Sequence, residues 1–247
     1  MRPLSGSRNA IFVPMTNRRL NAVIFDLFGT LVELFSRTEH ERVLASMAEA
    51  LSVDCDEFAR MWAYDTSFDR TTGAFATIDE NIEHICRSLG APVDEQALSR
   101  AVQIRTDHTR TTLQPRPDAV ATLTDLKDSG YTIGLLSNCS ADVPLVWPET
   151  PFASLLESPV FSCSVGLKKP DPKIYTVACR GLNVEAGDCL YVGDGSDREL
   201  TGALEAGMTP VLLRISLEDA YDASRPDVEE WQGLAVSSLS QVPGLLK

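Results

Sequence analysis

Asn21-Ala22-Val23-Ile24-Phe25-Asp26-Leu27-Phe28-Gly29-Thr30-Leu31 is the stretch on which the fold turns. Val23 to Phe25 form a short apolar, β-prone run that ends on the carboxylate of Asp26, and Gly29-Thr30 then turns the backbone. A buried strand that delivers an Asp to its C-terminal end sets it where open α/β sheets bind ligands. A surface Asp in a strand-end turn has the same local pattern. The rest of the chain decides between the two.

From residue 34 to residue 113 the apolar spacing is helical and no segment alternates as a strand does. Thr38-Glu39-His40-Glu41 reads as a capping box before Val43, Leu44, Met47, Ala48 and Leu51. Phe58, Met61 and Trp62 mark a second helix. Thr77-Ile78-Asp79-Glu80 is another capping box, followed by Ile82, Ile85 and Leu89, with Gly90 as the stop; Leu98, Ala101, Val102 and Arg105 suggest one more helix. This block is expected to be a helical cap inserted over the end of the first strand.

Strand and helix then alternate. Pro117 opens a helix with Val120, Leu123 and Leu126 inward and Gly130 at its end; Tyr131 to Leu136 is a strand reaching Ser137-Asn138. Val160 to Cys163 is a strand, Asp171-Pro172 opens a helix to Gly181, and Cys189 to Val192 is a strand ending at Gly193-Asp194. Ser196 is the expected cap of a helix that stops at Gly207, Pro210 to Leu213 is a further core strand, and Leu234 to Val236 an edge strand. Repeated βα units imply a parallel sheet covered on both faces. The expected fold is therefore α/β, a Rossmann-like core over residues 20–33 and 114–247 with an α-helical cap at 34–113. Residues 1–19 read as a disordered lead-in, with Met15 an alternative start.

The whole chain sets limits on partners. Its 247 residues carry a formal net charge of −13 without a long basic run, which argues against nucleic acid or an anionic membrane surface. No stretch is long enough to span a membrane, and the apolar run Ala10–Val13 is too short for a signal peptide. The six cysteines (55, 86, 139, 163, 179 and 189) are scattered without zinc spacing, so they read as reduced residues of a cytoplasmic protein. A monomer or homodimer is expected.

Four segments in order resemble the haloacid dehalogenase (HAD) superfamily of hydrolases, in the subgroup with a helical cap after the first motif. They are Phe25-Asp26-Leu27-Phe28-Gly29-Thr30-Leu31, then Leu135-Leu136-Ser137-Asn138, then Ser164 to Tyr175 around Lys168-Lys169-Pro170, then Tyr191-Val192-Gly193-Asp194-Gly195-Ser196-Asp197-Arg198-Glu199. The resemblance implies that Asp26 is a nucleophile, since an ionised carboxylate can form a covalent ester that water later breaks. Ser137, Asn138 and Thr30 would bind the transferred anionic group, although Ser137-Asn138 can equally be a helix N-cap. Lys169, which directly precedes Pro170, would neutralise Asp26 and the substrate; Lys168 reads as a solvated lysine. Asp26, the Phe28 backbone carbonyl, Asp194 and Glu199 would hold Mg²⁺, whose preference is for hard oxygen ligands.

One position departs from the phosphatase pattern. Phosphatases of this family carry a second Asp two residues after the nucleophile as general acid and base, and here that residue is Phe28. A positioned acid or base contributes about 10²–10⁴-fold, so its absence costs roughly 3–5 kcal/mol in the barrier. An expelled halide needs no proton, and dehalogenases of the family have an aromatic residue at this place, yet they generally lack the acid at Asp194. Three readings stay open: a Mg²⁺-dependent phosphatase of a small phosphorylated metabolite, a 2-haloacid dehalogenase-like enzyme, and a weakly active or non-catalytic binding member. Asp26, Lys169 and Asp194 together favour the first.

The cap would select the substrate. Arg70 is the candidate for binding a carboxylate or phosphate, and Asp69 for replacing the lost acid; solvated loop positions are the alternative for both. His40, His84 and His108 read as surface residues. Trp62 and Trp147 read as core or pocket wall, and Trp231 as an anchor for the tail.

Overall fold

Strand β1 (Ala22–Phe25) is buried on both faces and lies at the centre of a six-stranded, all-parallel sheet of order β3-β2-β1-β4-β5-β6. The chain is described here by a computed structural model covering residues 20–229 and 231–246. The lead-in over residues 1–19 and the choice between Met1 and Met15 lie outside the described residues.

After β1 come α1 (Arg37–Leu51), α2 (Cys55–Arg60), α3 (Ser67–Thr71), α4 (Ile78–Ser88) and α5 (Glu95–Thr112). Helix α6 (Ala119–Asp128), β2 (Thr132–Ser137), α7 (Asp142–Val146), β3 (Glu157–Phe161), α8 (Ser162–Val165), α9 (Pro172–Leu182) and β4 (Cys189–Gly193) follow. The described chain closes with α10 (Glu199–Glu205), β5 (Thr209–Leu213), β6 (Leu234–Val236) and a 3-10 segment, Leu239–Leu246. The architecture is the expected α/β one, a Rossmann-like sheet with a helical insertion between its first two strands. Among the described residues no helix is long and apolar enough to cross a membrane.

The strands read as near-continuous apolar runs because alternate residues enter two different cores. Val23, Phe25, Ile133, Leu135, Leu190, Val192 and Val211 pack on one face with Leu123 and Leu126 of α6 and Leu239 and Val242. Ala22, Ile24, Leu136, Tyr191 and Leu212 pack on the other with Ile174, Tyr175 and Ala178 of α9 and Leu200 and Ala203 of α10. Helices α1, α2, α4 and α5, with Trp62 from the π-helical turn Met61–Asp65, build a third, separate core that includes Leu44, Met47, Phe58, Ile82, Ile85 and Ala101. Two crossings connect the insertion to the sheet, and they run side by side: Val32 bridges Pro115, and Arg116 N donates to Leu31 O at 2.9 Å.

Several local expectations need correction. Helix α1 is capped by Ser36, whose Oγ accepts from Glu39 N at 3.2 Å, not by Thr38, whose hydroxyl bonds Asp219. Val120 is 37% exposed because α6 turns Ala119, Thr122, Leu123 and Leu126 inward instead. The third strand ends at Phe161, since the Ser162 hydroxyl bonds the Cys139 backbone and the chain turns there. Ser196 does not cap α10; the Asp227 carboxylate does, accepting from Leu200 N and Thr201 N at 2.9 and 3.1 Å. The Thr77 cap of α4 is observed, with Glu80 N at 3.2 Å. Trp231 is buried and donates to Leu234 O at 2.8 Å, holding the C-terminal segment to the sheet. Trp147 is a core residue, stacked on Phe152. All six cysteines are free thiols.

Candidate active site

The parallel register sets Phe25 between Leu135 of β2 and Val192 of β4, so the segments beyond these strand ends meet on one side of the sheet. From β1 the chain builds β2 and β3 on one side and β4 to β6 on the other. That is the switch point where a crevice opens outside the carboxyl ends of the strands. Asp26, Ser137-Asn138 and Asp194 all enter it.

Asp26 is 4% exposed, and its Oδ1 accepts from Lys169 Nζ at 2.6 Å. The same ammonium donates to Glu199 Oε2 at 2.5 Å and to the Tyr191 hydroxyl at 3.1 Å, and that hydroxyl donates to Glu199 Oε2 at 2.7 Å. Thr30 Oγ1 lies 3.3 Å from Asp26 Oδ2. Lys169 is in turn held by its backbone: Asn138 Oδ1 accepts its N–H at 2.8 Å, and Asn138 Nδ2 donates to its carbonyl at 3.2 Å and to Asp197 at 2.7 Å. Neither Ser137 nor Asn138 caps α7, so the N-cap alternative is not what the fold uses. Ser137 Oγ is fully buried at this strand end with no hydrogen-bond partner. Lys168 is partly exposed, 4.0 Å from Asp197.

Oxygens of Asp26, Asp194 and Glu199 gather within 4.8 Å of one another. Burial, reinforced by the Glu199 charge and moderated by Lys169, pushes the Asp26 carboxyl up to about 6. Burial with the charges of Glu199 and Asp26 takes Asp194 up to about 8, even though Arg225 opposes the shift. Lys169 is driven the other way from the usual effect of burial, its ammonium held charged by Asp26 and Glu199. The backbone leaves no room for side chains here. A Cβ on Gly29, whose φ is +80°, would lie 2.0 Å from Asp194 Oδ2, and one on Gly193 would lie 2.3 Å from Glu199 Oε1.

This donor set suits a hard divalent cation. Three carboxylates face only two cationic side chains, and Gly29 brings the Phe28–Gly29 backbone against Asp194. Asp26, Asp194 and Glu199 carry the oxygens that could hold a divalent cation, Glu199 being also tied to Lys169, Tyr191 and Gly195 N.

Three further residues of the site carried no signal in the sequence. Arg225 is 8% exposed and donates to Asp194 Oδ2 from Nε at 2.8 Å and Nη2 at 2.7 Å, yet it comes from an irregular segment without periodicity. Tyr191 looks like an ordinary strand residue, and only its place beside Lys169 gives it a polar task. Tyr221 lines the cleft from the same irregular segment as Arg225.

The side chain of Phe28 lines the cleft and packs at a tilt of 30° against Phe35, with centroids 4.7 Å apart. No acid from the helical insertion takes its place: Asp69 is exposed, and Asp65 is exposed in an ion pair with Arg60. Arg70 does line the cleft, with Nη1 on Trp62 O at 2.8 Å. His40 and His108 are not surface residues; both are buried, packed around Phe35, and burial near Arg105 lowers them to about 3 and about 4. Helix α1, starting from Ser36, packs His40 inward against Phe35 and Tyr221.

Residues 20–207 match the family model described as haloacid dehalogenase-like hydrolase. The chain is 28% identical over 220 residues to a glyceraldehyde 3-phosphate phosphatase of Methanopyrus kandleri, covering 85% of this chain and 92% of that protein. It is 26% identical over 235 residues to (S)-2-haloacid dehalogenase 1 of a Pseudomonas species, covering 92% and 96%. The structure superposes on a 2-haloacid dehalogenase of Pseudomonas syringae with a TM-score of 0.65 and 26% identity, covering 92% and 98%. With the four motifs meeting at one strand-end crevice and the family match spanning most of its length, the chain belongs to the haloacid dehalogenase-like hydrolases.

Proposed function

We propose that the protein is a Mg²⁺-dependent phosphohydrolase of a small phosphorylated metabolite, with Asp26 as nucleophile. The observation that carries this reading is the gathering of Asp26, Asp194 and Glu199 oxygens within 4.8 Å of one another, with only Lys169 and Arg225 to offset them. An anionic substrate cannot approach so many carboxylates until further positive charge is supplied. Bound Mg²⁺ would supply that charge and polarise the phosphoryl oxygens.

The chain's own residues do the rest. The Asp26 carboxylate attacks phosphorus, its P–O bond forms as the ester P–O bond breaks, and the departing oxygen leaves with the bonding electron pair as an anion that solvent water afterwards protonates. Water then attacks the aspartyl phosphate, returning Asp26 and inorganic phosphate. Lys169 Nζ, fixed by Asn138, Tyr191 and Glu199, stays charged throughout and offsets the negative charge on Asp26 and the transferred group. Ser137 Oγ, unpartnered at the strand end, would donate to the phosphoryl oxygens, Asn138 holds the Lys169 loop through both hydrogens of its amide nitrogen, and Thr30 steadies the carboxylate. With Phe28 where an acid would stand, the reading favours leaving groups acidic enough to depart without a proton donor.

A second reading is favoured by a specific contact. Arg225 already neutralises Asp194, and an aromatic Phe28 beside Asp26 suits an expelled halide, which needs no proton. Release of phosphate from an aryl phosphate and of chloride from 2-chloropropionate, each with Mg²⁺ and with EDTA, separates the two. Phosphate release that disappears in EDTA is expected. Chloride release that ignores EDTA would overturn the phosphohydrolase reading.

A further inference from the structure

Beyond Phe28 the crevice continues into the helical insertion as a cavity of about 160 Å³. Phe28, Phe35, Trp62 and Tyr221 form its aromatic wall, and Arg70, Arg105 and His40 bring polar atoms to it. The aromatic side chains are packed together: Phe35 lies 5.6 Å from His40, and His40 lies 4.1 Å from Tyr221. The cavity shares Phe28, Phe35 and Tyr221 with the cleft that holds Asp26, so a molecule in it can reach the reacting carboxylate.

The charges here do not balance. Arg105 is compensated by Asp142, with Nε and Nη2 at 2.8 and 2.7 Å, and Asp142 is filled by Ser140 at 2.5 Å and Thr109 at 2.7 Å. Arg70 has no such carboxylate among the described residues. Its Nη1 donates to Trp62 O and Thr66 Oγ1, both neutral, and its Cζ lies 4.4 Å over the Trp62 ring. Burial and the neighbouring Arg105 lower Arg70 only to about 10, which leaves it cationic at neutral pH. Arg105 Nη1 and His40 Nδ1 are buried without partners as well. Arg70 is half-buried, and a guanidinium partly withdrawn from water with no counter-ion is costly; an anion from outside the chain relieves the cost.

We propose that this cavity recognises a carboxylate on the substrate, with Arg70 as its binding partner and the aromatic wall receiving a small apolar or planar body. The inference rests on Asp26 being the reacting group, and it narrows the substrate to a phosphorylated carboxylic acid. One unmatched guanidinium charge corresponds to one carboxylate charge, and the flat fork of arginine pairs with it in two parallel hydrogen bonds. A second phosphate would bring a charge that the cavity does not offset. A dry cavity of roughly 150 Å³ takes a benzene-sized molecule, so the body is limited to about one ring or a short chain.

Calorimetric titration of the full chain at pH 7.5 with 3-phenylpropanoate and with 3-phenylpropanamide tests this without any turnover. The acid is expected to bind at least tenfold more tightly than the amide. Arg70→Gln is expected to abolish that preference, Arg70→Lys to keep part of it, and inorganic phosphate not to compete. Equal binding of acid and amide by the unaltered protein, no binding of either, a preference that survives Arg70→Gln, or competition by phosphate would each overturn the proposal. Because the titration involves no turnover, acid-selective binding here together with no phosphate release from the aryl phosphate would sink the phosphohydrolase reading and leave the pocket standing.

Discussion

Arg225 holds Asp194 by two nitrogens on one carboxylate oxygen, Nε at 2.8 Å and Nη2 at 2.7 Å, both residues being buried. The contact ties the irregular segment after β5 to the end of β4, and it places a fixed positive charge beside the carboxylate that would take a metal ion. The guanidinium is anchored from behind, with Nη1 on the carbonyls of Asp222 and Ser224 at 3.1 and 2.7 Å. A tethered cation and a metal ion bound at Asp194 would therefore compete for the same oxygen.

Removing the tethered one should strengthen the other. Arg225→Gln leaves Asp194, Asp26 and Glu199 facing Lys169 alone, so Mg²⁺ binding measured by calorimetry is expected to tighten about tenfold, which corresponds to about 1.4 kcal/mol. Weaker binding would mean that Arg225 orients Asp194 for the ion instead of opposing it.

Asp26 and Lys169 should respond oppositely to substitution. The ionised Asp26 is held at a cost, since its carboxyl titrates at about 6 and not near 3.8. A raised carboxylate loses stability as pH climbs from about 4 to about 6 and stays at the lower level above it. Asp26→Asn is therefore expected to abolish turnover while leaving the melting temperature at pH 7.5 unchanged or higher. Lys169→Met strands Asp26 and Glu199 without their shared cation, and losing one partner of a buried pair costs about 3–5 kcal/mol. Chemical denaturation of both variants reads the contrast; a destabilised Asp26→Asn would show that the carboxylate is a net support of the fold.

Gly29 is the third point of sensitivity. Its φ of +80° costs an L-residue roughly 1–2 kcal/mol, and a Cβ would stand 2.0 Å from Asp194 Oδ2. Gly29→Ala is expected to lower stability by about that amount and to remove activity entirely, because Asp194 must move. Activity within tenfold of the unaltered chain would mean that Asp194 is not needed in its observed position.

The readable part of the site is the part carried by strand ends. Asp26, Ser137 and Asp194 each end an apolar run, and a run that stops on a polar residue is visible without coordinates. Lys169 was readable only through the family resemblance, because a lysine before a proline in a loop has no physical signature of its own. Arg225 and Asp227 were invisible, since the segment after β5 has neither period nor cap residues, yet it supplies the partner of Asp194 and the N-terminal cap of α10. In the helical insertion the apolar spacing gave the helices, but a shift of the first cap from Thr38 to Ser36 accompanies a buried His40.

That burial sets a pH signature that can be isolated. Burial beside Arg105 takes His40 from its usual 6.5 to about 3, with His108 and Arg70 adding to the shift and Asp142 opposing it. The folded chain then binds fewer protons at this site than the unfolded one between pH 6.5 and 3, so the stability it contributes is complete above 6.5 and is lost as pH falls. The slope approaches about 1.4 kcal/mol per pH unit where the unfolded histidine is protonated and the folded one is not. Asp26 and Asp194 tilt the total curve the other way, because both carboxyls are raised, to about 6 and about 8. The difference between the unaltered chain and His40→Gln removes their contribution. Urea midpoints at pH 7, 6 and 5 are expected to show the unaltered chain losing ground to the variant as pH drops. Parallel curves would mean that His40 is protonated within the folded insertion, and that a carboxylate such as Asp142 stabilises its charge despite the burial.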